Sequence, residues 1–558
     1  MRKSVVVALA VLVVLGMLAP PSFAQAPAPK VTITGLVDFV TAAYMNGAFQ
    51  SQNGAISPNQ PDVSLGNKKT GWYSRERGVF TITGEVGRVK GVWAVGLDFQ
   101  NGASNFNASS QPGSLTTVGP SHNGTSAAFD LDTDIQGNVE TKWLYLETPI
   151  TGPGSLLSFI PVTTIGRFGG QPWRGHFYKP GILVFGDFPG VNLETRWAPN
   201  VRSTLTFVQI SEQLDRFIAP NQKDSIGFLA SLEVDVFKGL TIKPTYAYGE
   251  WDGGNCGTTN HGTIGYGGYN PNTNCPAVVA GTLAGPGLVG RNIRRHYLGG
   301  DVRWTMGPFS VQPTFIYLLG EQEVPNRSGV VNDVDIRSFI VDTIAGFRTG
   351  PLLIETRIAY TPGIDANHNV QNAGGGTIRT YQPFSSGTSY MSGWSEIWKS
   401  GIDYFEGLLV NRGGLTIRES PSYDKYGRIF FAIAADYALT PALTLTGLTN
   451  FSWTDTRVDT KGTTAAATGL TPSGITGALP GNPFIGGKER YLGNEWLLRL
   501  TYRFAPNVQF DIVAAALITG DALNAQRTPA GFGCSTDGVL TCQSRNVYKT
   551  AARIRVTF

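Results

Sequence analysis

Polar and apolar side chains alternate with a period of two along most of this chain, and most regularly at its end. Tyr548, Thr550, Ala552, Ile554, Val556 and Phe558 fall on one side of an extended strand, and Lys549, Ala551, Arg553, Arg555 and Thr557 on the other. One apolar-aromatic face and one charged face suit a wall between lipid and a watery lumen. A soluble edge strand reads the same way in isolation, so recurrence has to decide. The pattern returns about eight times as a hairpin of two alternating strands around a tight turn. Clear copies turn at Ala198-Pro199-Asn200, Met306-Gly307-Pro308 and Ala505-Pro506-Asn507. Others turn near Lys90-Gly91, 149–154, Lys238-Gly239, Gly350-Pro351 and Thr440-Pro441. Two outgoing strands even match in sequence around Pro244 and Pro313, where each proline marks a lapse in pairing or a bulge.

Long irregular connections separate these hairpins, at 45–77, 101–138, 251–292, 362–425 and 455–488. Short turns alternating with long loops, together with about eighteen strands, predict an all-β fold: a transmembrane antiparallel up-and-down β-barrel with periplasmic turns and extracellular loops. The stretch from Leu156 to Arg167 is the hardest place to count a strand. At ~4.8 Å per strand and a ~40° tilt, such a barrel has a backbone diameter of roughly 35 Å, too wide for side chains alone to fill. Selectivity then needs an inward-folded loop, and 168–189 and 362–425 are the candidates.

Parity sharpens the picture. Trp197, Trp304, Phe347, Tyr437 and Phe504 each precede a short turn on the lipid parity, which predicts a periplasmic aromatic girdle. Tyr248, Tyr317, Tyr360, Phe451 and Trp453 are placed to form the outer one. Charges take the opposite parity and are expected to line the pore. Arg499, Arg503, Arg553, Arg555 and Arg357 are candidates for an anion-favouring constriction, beside Arg303, Glu355, Asp301, Asp511 and Glu194. The plainer alternative is a salt-bridged lining that keeps the lumen hydrated.

Composition agrees with this reading. Only 15% of residues are charged and 70 are glycine, unlike an average soluble domain. The formal charge of +4 is too small to argue for nucleic acid. Arg2 and Lys3, an apolar run and Ser22-Phe23-Ala24 predict a secretory signal peptide at 1–24. A short leader at 25–30 and the barrel at 31–558 follow, which places the protein in the outer membrane of a Gram-negative-type bacterium. Export also favours two local disulfides, Cys256 with Cys275 and Cys534 with Cys542, although other connectivities remain open. Phe558 is expected to address the barrel-assembly machinery. Outer-membrane lipid and small polar solutes or acidic sugars are the remaining expected partners, and sequence does not separate a homotrimer from a monomer.

The C-terminal third carries a resemblance. Leu492-Gly-Asn-Glu495, the run from Leu498 to Asn507 and Ile518-Thr-Gly-Asp521 resemble the closing strands of alginate-export outer-membrane porins. Gly166-Arg167 followed by Gln171-Pro172-Trp173 is similar to that family's Gly-Arg-Gln stretch, with Gly169 and Gly170 interrupting it. The resemblance implies an eighteen-stranded channel for polar solutes or an acidic polysaccharide.

Enzymatic readings find little support. The histidines His122, His176, His261, His296 and His368 form no Ser/His/acid arrangement, and neither a metalloprotease nor a nucleotide-binding motif occurs. No metal or cofactor is expected. The expectation is a passive outer-membrane channel, with polysaccharide export and a structural or adhesive barrel as alternatives.

Overall fold

The computed structural model describes residues 28–45, 70–101, 133–135, 139–172, 176–184, 186–211, 225–252, 292–325, 331–363, 377–384, 390–398, 401–403, 421–422, 426–457, 489–523, 525–526, 541–542 and 546–558. The expected signal peptide, Cys256, Cys275 and Cys534 lie outside them, and of Cys542 only the backbone is described.

The wall is a closed antiparallel barrel of 18 strands. In chain order they are β1 (Lys30–Met45), β2 (Thr70–Val86), β3 (Val89–Asn101), β4 (Val139–Thr151), β5 (Thr163–Pro172), β6 (Asp187–Ala198), β7 (Val201–Ser211), β8 (Ser225–Phe237) and β9 (Leu240–Asp252). The second half comprises β10 (Asn292–Met306), β11 (Phe309–Pro325), β12 (Val331–Thr349), β13 (Leu352–Thr361), β14 (Arg428–Thr440), β15 (Leu443–Trp453), β16 (Tyr491–Ala505), β17 (Val508–Thr519) and β18 (Val547–Thr557). Each strand pairs with its sequence neighbours, and β18 closes on β1 with Leu36 opposite Thr557 and Met45 opposite Tyr548. Phe558 completes the seam by exchanging backbone hydrogen bonds of 2.9 and 3.0 Å with Gly35. Closure leaves no unpaired edge, the condition for putting a sheet in lipid.

Seven of the short connections place two residues between strands. Gly307 and Gly350 adopt φ of 56° and 52° at two of them, the left-handed conformation that tight hairpins need and glycine supplies without strain. The turn expected at 149–154 is instead a longer connection at 152–162. There Thr151 stays paired and its hydroxyl donates to the Val162 carbonyl at 2.5 Å.

Strands also run further than their glycines and polar residues suggest. β2 begins at Thr70, inside a stretch read as loop, and β5 continues through Pro172 into the expected loop at 168–189. Gly169 faces Gly190 across the β5–β6 pair, and a Cβ on Gly169 would lie 2.6 Å from the Leu144 carbonyl. Glycine here permits close strand approach, which a composition-based reading takes for loop. The two prolines behave as anticipated: the β8–β9 ladder lapses at Lys243-Pro244 and the β10–β11 ladder at Gln312-Pro313, without a change of register.

Outward positions are apolar over the height of the wall. Trp197, Trp304, Tyr437 and Phe504 are exposed beside the short turns, with Leu298, Phe315, Ile433, Leu498 and Ile512 exposed above them. Apolar area of this extent on a closed barrel is a lipid-facing belt. Among the described residues no helix is long and apolar enough to cross a membrane.

The inward face divides in two, and here the structure departs from a uniformly wet lining. Val208, Leu229, Tyr297, Ile316, Leu318, Ile336 and Ile340 point inward on β7–β12, yet all are buried. Phe430, Ala432, Leu497, Val513, Ala515 and Leu517 do the same on β14–β17. Something inside the barrel covers them.

Candidate pore constriction

The cover consists of chain folded into the lumen. Residues 176–184 form a first strap, and 377–384, 390–398 and 401–403 belong to a second. Both come from the two loops expected to constrict the pore. The first carries Phe177, Ile182, Leu183 and Val184, apolar side chains that gain about 1.5–3 kcal/mol each by leaving water for the inward apolar wall.

Polar contacts orient the first strap. His176 is fully buried, its ring nitrogens 3.0 Å from the Ser231 hydroxyl and 2.8 Å from that of Thr206. Burial, reinforced by the Lys243 ammonium, pushes its pKa down to about 3, so the ring docks neutral. Thr245 donates to the His176 carbonyl at 3.1 Å, and the Tyr178 amide donates to Asp301 at 2.6 Å. Lys179 reaches the Gln312 carbonyl at 2.6 Å, the Thr314 hydroxyl at 2.5 Å and the Asp342 carbonyl at 3.0 Å. The two matching Pro-Thr segments therefore share a task. Thr245 and Thr314, each after its proline, are docking points for this strap.

The second strap enters through an aromatic ring. Phe384 sits between Trp251 and Tyr297, with centroids 5.1 and 6.1 Å away, over Gly227 and Gly249, which face each other on β8 and β9. A Cβ on Gly227 would lie 2.2 Å from the Phe384 ring and one on Gly249 2.7 Å from it. Gly227→Ala is accordingly expected to expel the ring and destabilise this docking by about 1–3 kcal/mol. The check is limited proteolysis of the folded protein, with faster cleavage near 377–384 that Phe384→Ala partly reverses in the double variant. Unchanged cleavage would show that the socket does not hold the strap.

Further along, the strap is held by charge. Glu495 on β16 accepts from the Ser395 hydroxyl at 2.6 Å and from the amides of Glu396 and Ile397 at 2.7 and 3.1 Å. Glu396 is itself bound by Lys549 at 3.0 Å and Arg499 at 2.5 Å, and Lys549 reaches Asp403 at 2.7 Å. Burial alone would raise the Glu396 pKa, but Lys549 and Arg499 outweigh it and hold the carboxyl below its usual range. A Cβ on Gly401 would fall onto the Glu396 carboxylate, so a glycine is required where the chain passes this cluster.

All ten anticipated lumen residues lie on the inward parity, but they do not gather into one ring. Arg357 is buried against Asp342 at 2.7 Å, Arg553 pairs with Asp511 at 2.8 Å, and Arg555 pairs with Asp38 at 2.6 Å. With Arg499 bound to Glu396, four of the five proposed anion-attracting arginines are neutralised by carboxylates. Arg503 stands exposed near the short-turn rim, and Glu355 lies half-buried near Asp436. Asp301 is covered by the first strap. Arg303 stays exposed, with its guanidinium stacked 3.4 Å from the Tyr178 ring centroid. It makes no ion pair among the described residues.

Away from the straps, β2–β6 carry a cross-strand ladder of alternating sign. Glu85 faces Lys90, Lys90 faces Glu147 and Glu147 faces Arg167. Lys90–Glu147 closes at 3.1 Å, Arg167–Glu147 at 2.6 Å and Arg167–Glu194 at 2.9 Å. Lys90 and Glu194 are each 38% exposed inside the barrel, so this side of the lumen is wet. The two outer pairs, each with one half-exposed partner, are screened and worth roughly 0–1 kcal/mol each, and their effect is to hold water and orient charge.

Parity alone missed the straps' footing, although a signal was present. Phe315 to Leu319 and Phe339 to Val341 are apolar on both parities, which marks wall buried on both faces.

No known protein family profile matches the chain, and no curated protein sequence matches it. Solved structures with a similar course include Pseudomonas aeruginosa OccK5 (OpdH), 11% identical with a TM-score of 0.42, covering 94% of this chain and 98% of that one. Pseudomonas aeruginosa OccK8 (OprE) matches at 9% identity and a TM-score of 0.43, covering 95% and 98%. Acinetobacter baumannii OccAB1 matches at 11% identity and 0.41, covering 94% and 97%. These three are Occ proteins and not alginate exporters.

Proposed function

We propose that this protein is an outer-membrane porin, a channel for passive diffusion of small hydrophilic solutes. The observation that carries the proposal is the Lys90–Glu147–Arg167–Glu194 ladder, whose end members Lys90 and Glu194 are half-exposed inside a closed barrel whose outer face is apolar. The strap hydrogen bonds to the wall described above fall on β7–β18, which leaves the charged ladder of β2–β6 as the lining of the water path. Short turns then face the periplasm, 1–24 serve as the export signal of a Gram-negative-type cell, and the exposed ring of Phe558 is presented to the assembly machinery at the seam. Export of an acidic polymer is not favoured. Two straps fixed to the wall and a lumen of paired charges offer no continuous basic track among the described residues. A catalytic role is not favoured either, since the buried polar clusters serve to dock chain.

Single-channel recording tests the reading. Refolded protein in planar bilayers is expected to give stable ohmic steps, smaller than a bare barrel of this size would give because the straps occupy much of the bore. Folded protein without conductance would refute it. Arg303, the stacked cation without a described counter-ion, is expected to set what anion preference exists. Arg303→Gln should lower the anion-to-cation permeability ratio roughly twofold at low salt and less at high salt. A reversal potential unmoved by the substitution would remove Arg303 from that role.

A further inference from the structure

We propose that the two straps form a single gate, joined through Asp342 and through a direct strap-to-strap hydrogen bond, so that loosening either one loosens the other. The inference rests on the channel reading and concerns its regulation.

Asp342 on β12 is fully buried, and it holds both straps. Its backbone carbonyl accepts from Lys179 of the first strap at 3.0 Å. Its carboxylate accepts from the Tyr390 hydroxyl of the second strap at 2.7 Å and from Arg357 at 2.7 Å. Arg357 returns to the second strap by donating to the Tyr390 carbonyl at 2.9 Å, with its guanidinium 4.5 Å from the Tyr390 ring centroid. Elsewhere the straps touch directly. The Tyr381 hydroxyl donates to the Ile182 carbonyl at 2.9 Å, and both residues are buried.

Each of these groups is desolvated, so none can exchange its partner for water while the straps stay docked. If the second strap withdraws, Ile182 loses its donor, and the Asp342 carboxylate is left with Arg357 alone. That residue then shifts beneath Lys179. Withdrawal of the first strap leaves the buried Tyr381 hydroxyl without the Ile182 carbonyl that accepts from it. The cost of opening one strap is therefore reduced once the other has opened, which is positive coupling, and coupling between two equilibria must be reciprocal.

Hydrogen exchange followed by mass spectrometry, on the full-length protein in lipid nanodiscs, reads both straps at once. Tyr390→Phe and Tyr381→Phe each remove one hydroxyl from the second strap and keep the ring. Lys179→Met removes the ammonium from the first and keeps the stem. Loss of one buried hydrogen bond should raise strap exchange about tenfold, and each of the three variants is expected to do so in 176–184 and in 390–398 alike. A rise confined to the mutated strap would overturn the proposal. So would faster exchange extending to the β15 ladder, because that reports loosening of the barrel as a whole. Wild-type recordings supply a second readout: closures to one level are expected, and two independent sublevels would overturn the single gate. The channel reading fails separately, by absence of conductance, and leaves the exchange result standing.

Discussion

Lys549→Met is expected to release the second strap while the barrel stays closed, and this is the largest effect anticipated for a single side chain. Lys549 lies on the closing strand, and its ammonium donates to the Glu396 carbonyl and carboxylate and to Asp403, all three residues being buried. Methionine fills nearly the same volume but leaves Asp403 without that cation and Glu396 with Arg499 and the Ile402 amide. Removing one member of a buried ion cluster costs about 3–5 kcal/mol, because the remaining charges stay desolvated. The chain can avoid most of that cost by letting 390–403 leave the wall and the bore for water, where both carboxylates are hydrated again. Backbone ladders of β16, β17 and β18 do not depend on Nζ, so the wall persists. Single-channel conductance should increase, and protease should cut within 390–403 in protein whose β-rich circular dichroism is unchanged. Native conductance together with native protease resistance would show that the cluster is not what holds the strap.

The second large effect concerns the outer face. Ile433→Arg places a guanidinium at an exposed outward position midway between Tyr437 and Ile429 on β14, and should cost about 2–4 kcal/mol if that height is the membrane midplane. Thr444→Arg, inward on the adjoining β15 and opposite Thr501, should stay within about 0.5 kcal/mol. Urea unfolding in liposomes compares them directly. Equal stabilities for the two variants would mean that the outward face does not meet hydrocarbon at that height, and the membrane assignment would need to be abandoned.

Both experiments interrogate different layers of information. The second rests on alternation alone. Inward charge and outward apolar or aromatic character follow from the period-two geometry of a strand, a local property, so the wall, its two faces and a count near eighteen strands were legible residue by residue. Local misreadings arose where glycine or proline serves close packing. Gly169 and Gly190 sit within paired strands although their neighbourhood looks like loop. Loop 168–189 and loop 362–425 were recognisable as candidates for infolding, the first by its glycine and aromatic content and the second by its length.

The pairing of the arginines was not legible. Arg499 finds Glu396 across 103 residues, Arg555 finds Asp38 across 517, and Arg357 is enclosed by Tyr390 and Asp342. Whether an inward residue meets water or a strap depends on where distant chain comes to rest, and alternation contains no term for that. Sequence by itself determined the barrel and which side of its wall each residue faces, because those depend on neighbours in the chain. Only the tertiary structure decided which inward charges remain open to a passing solute, because the infolded straps bury one part of the lumen wall and leave the other wet.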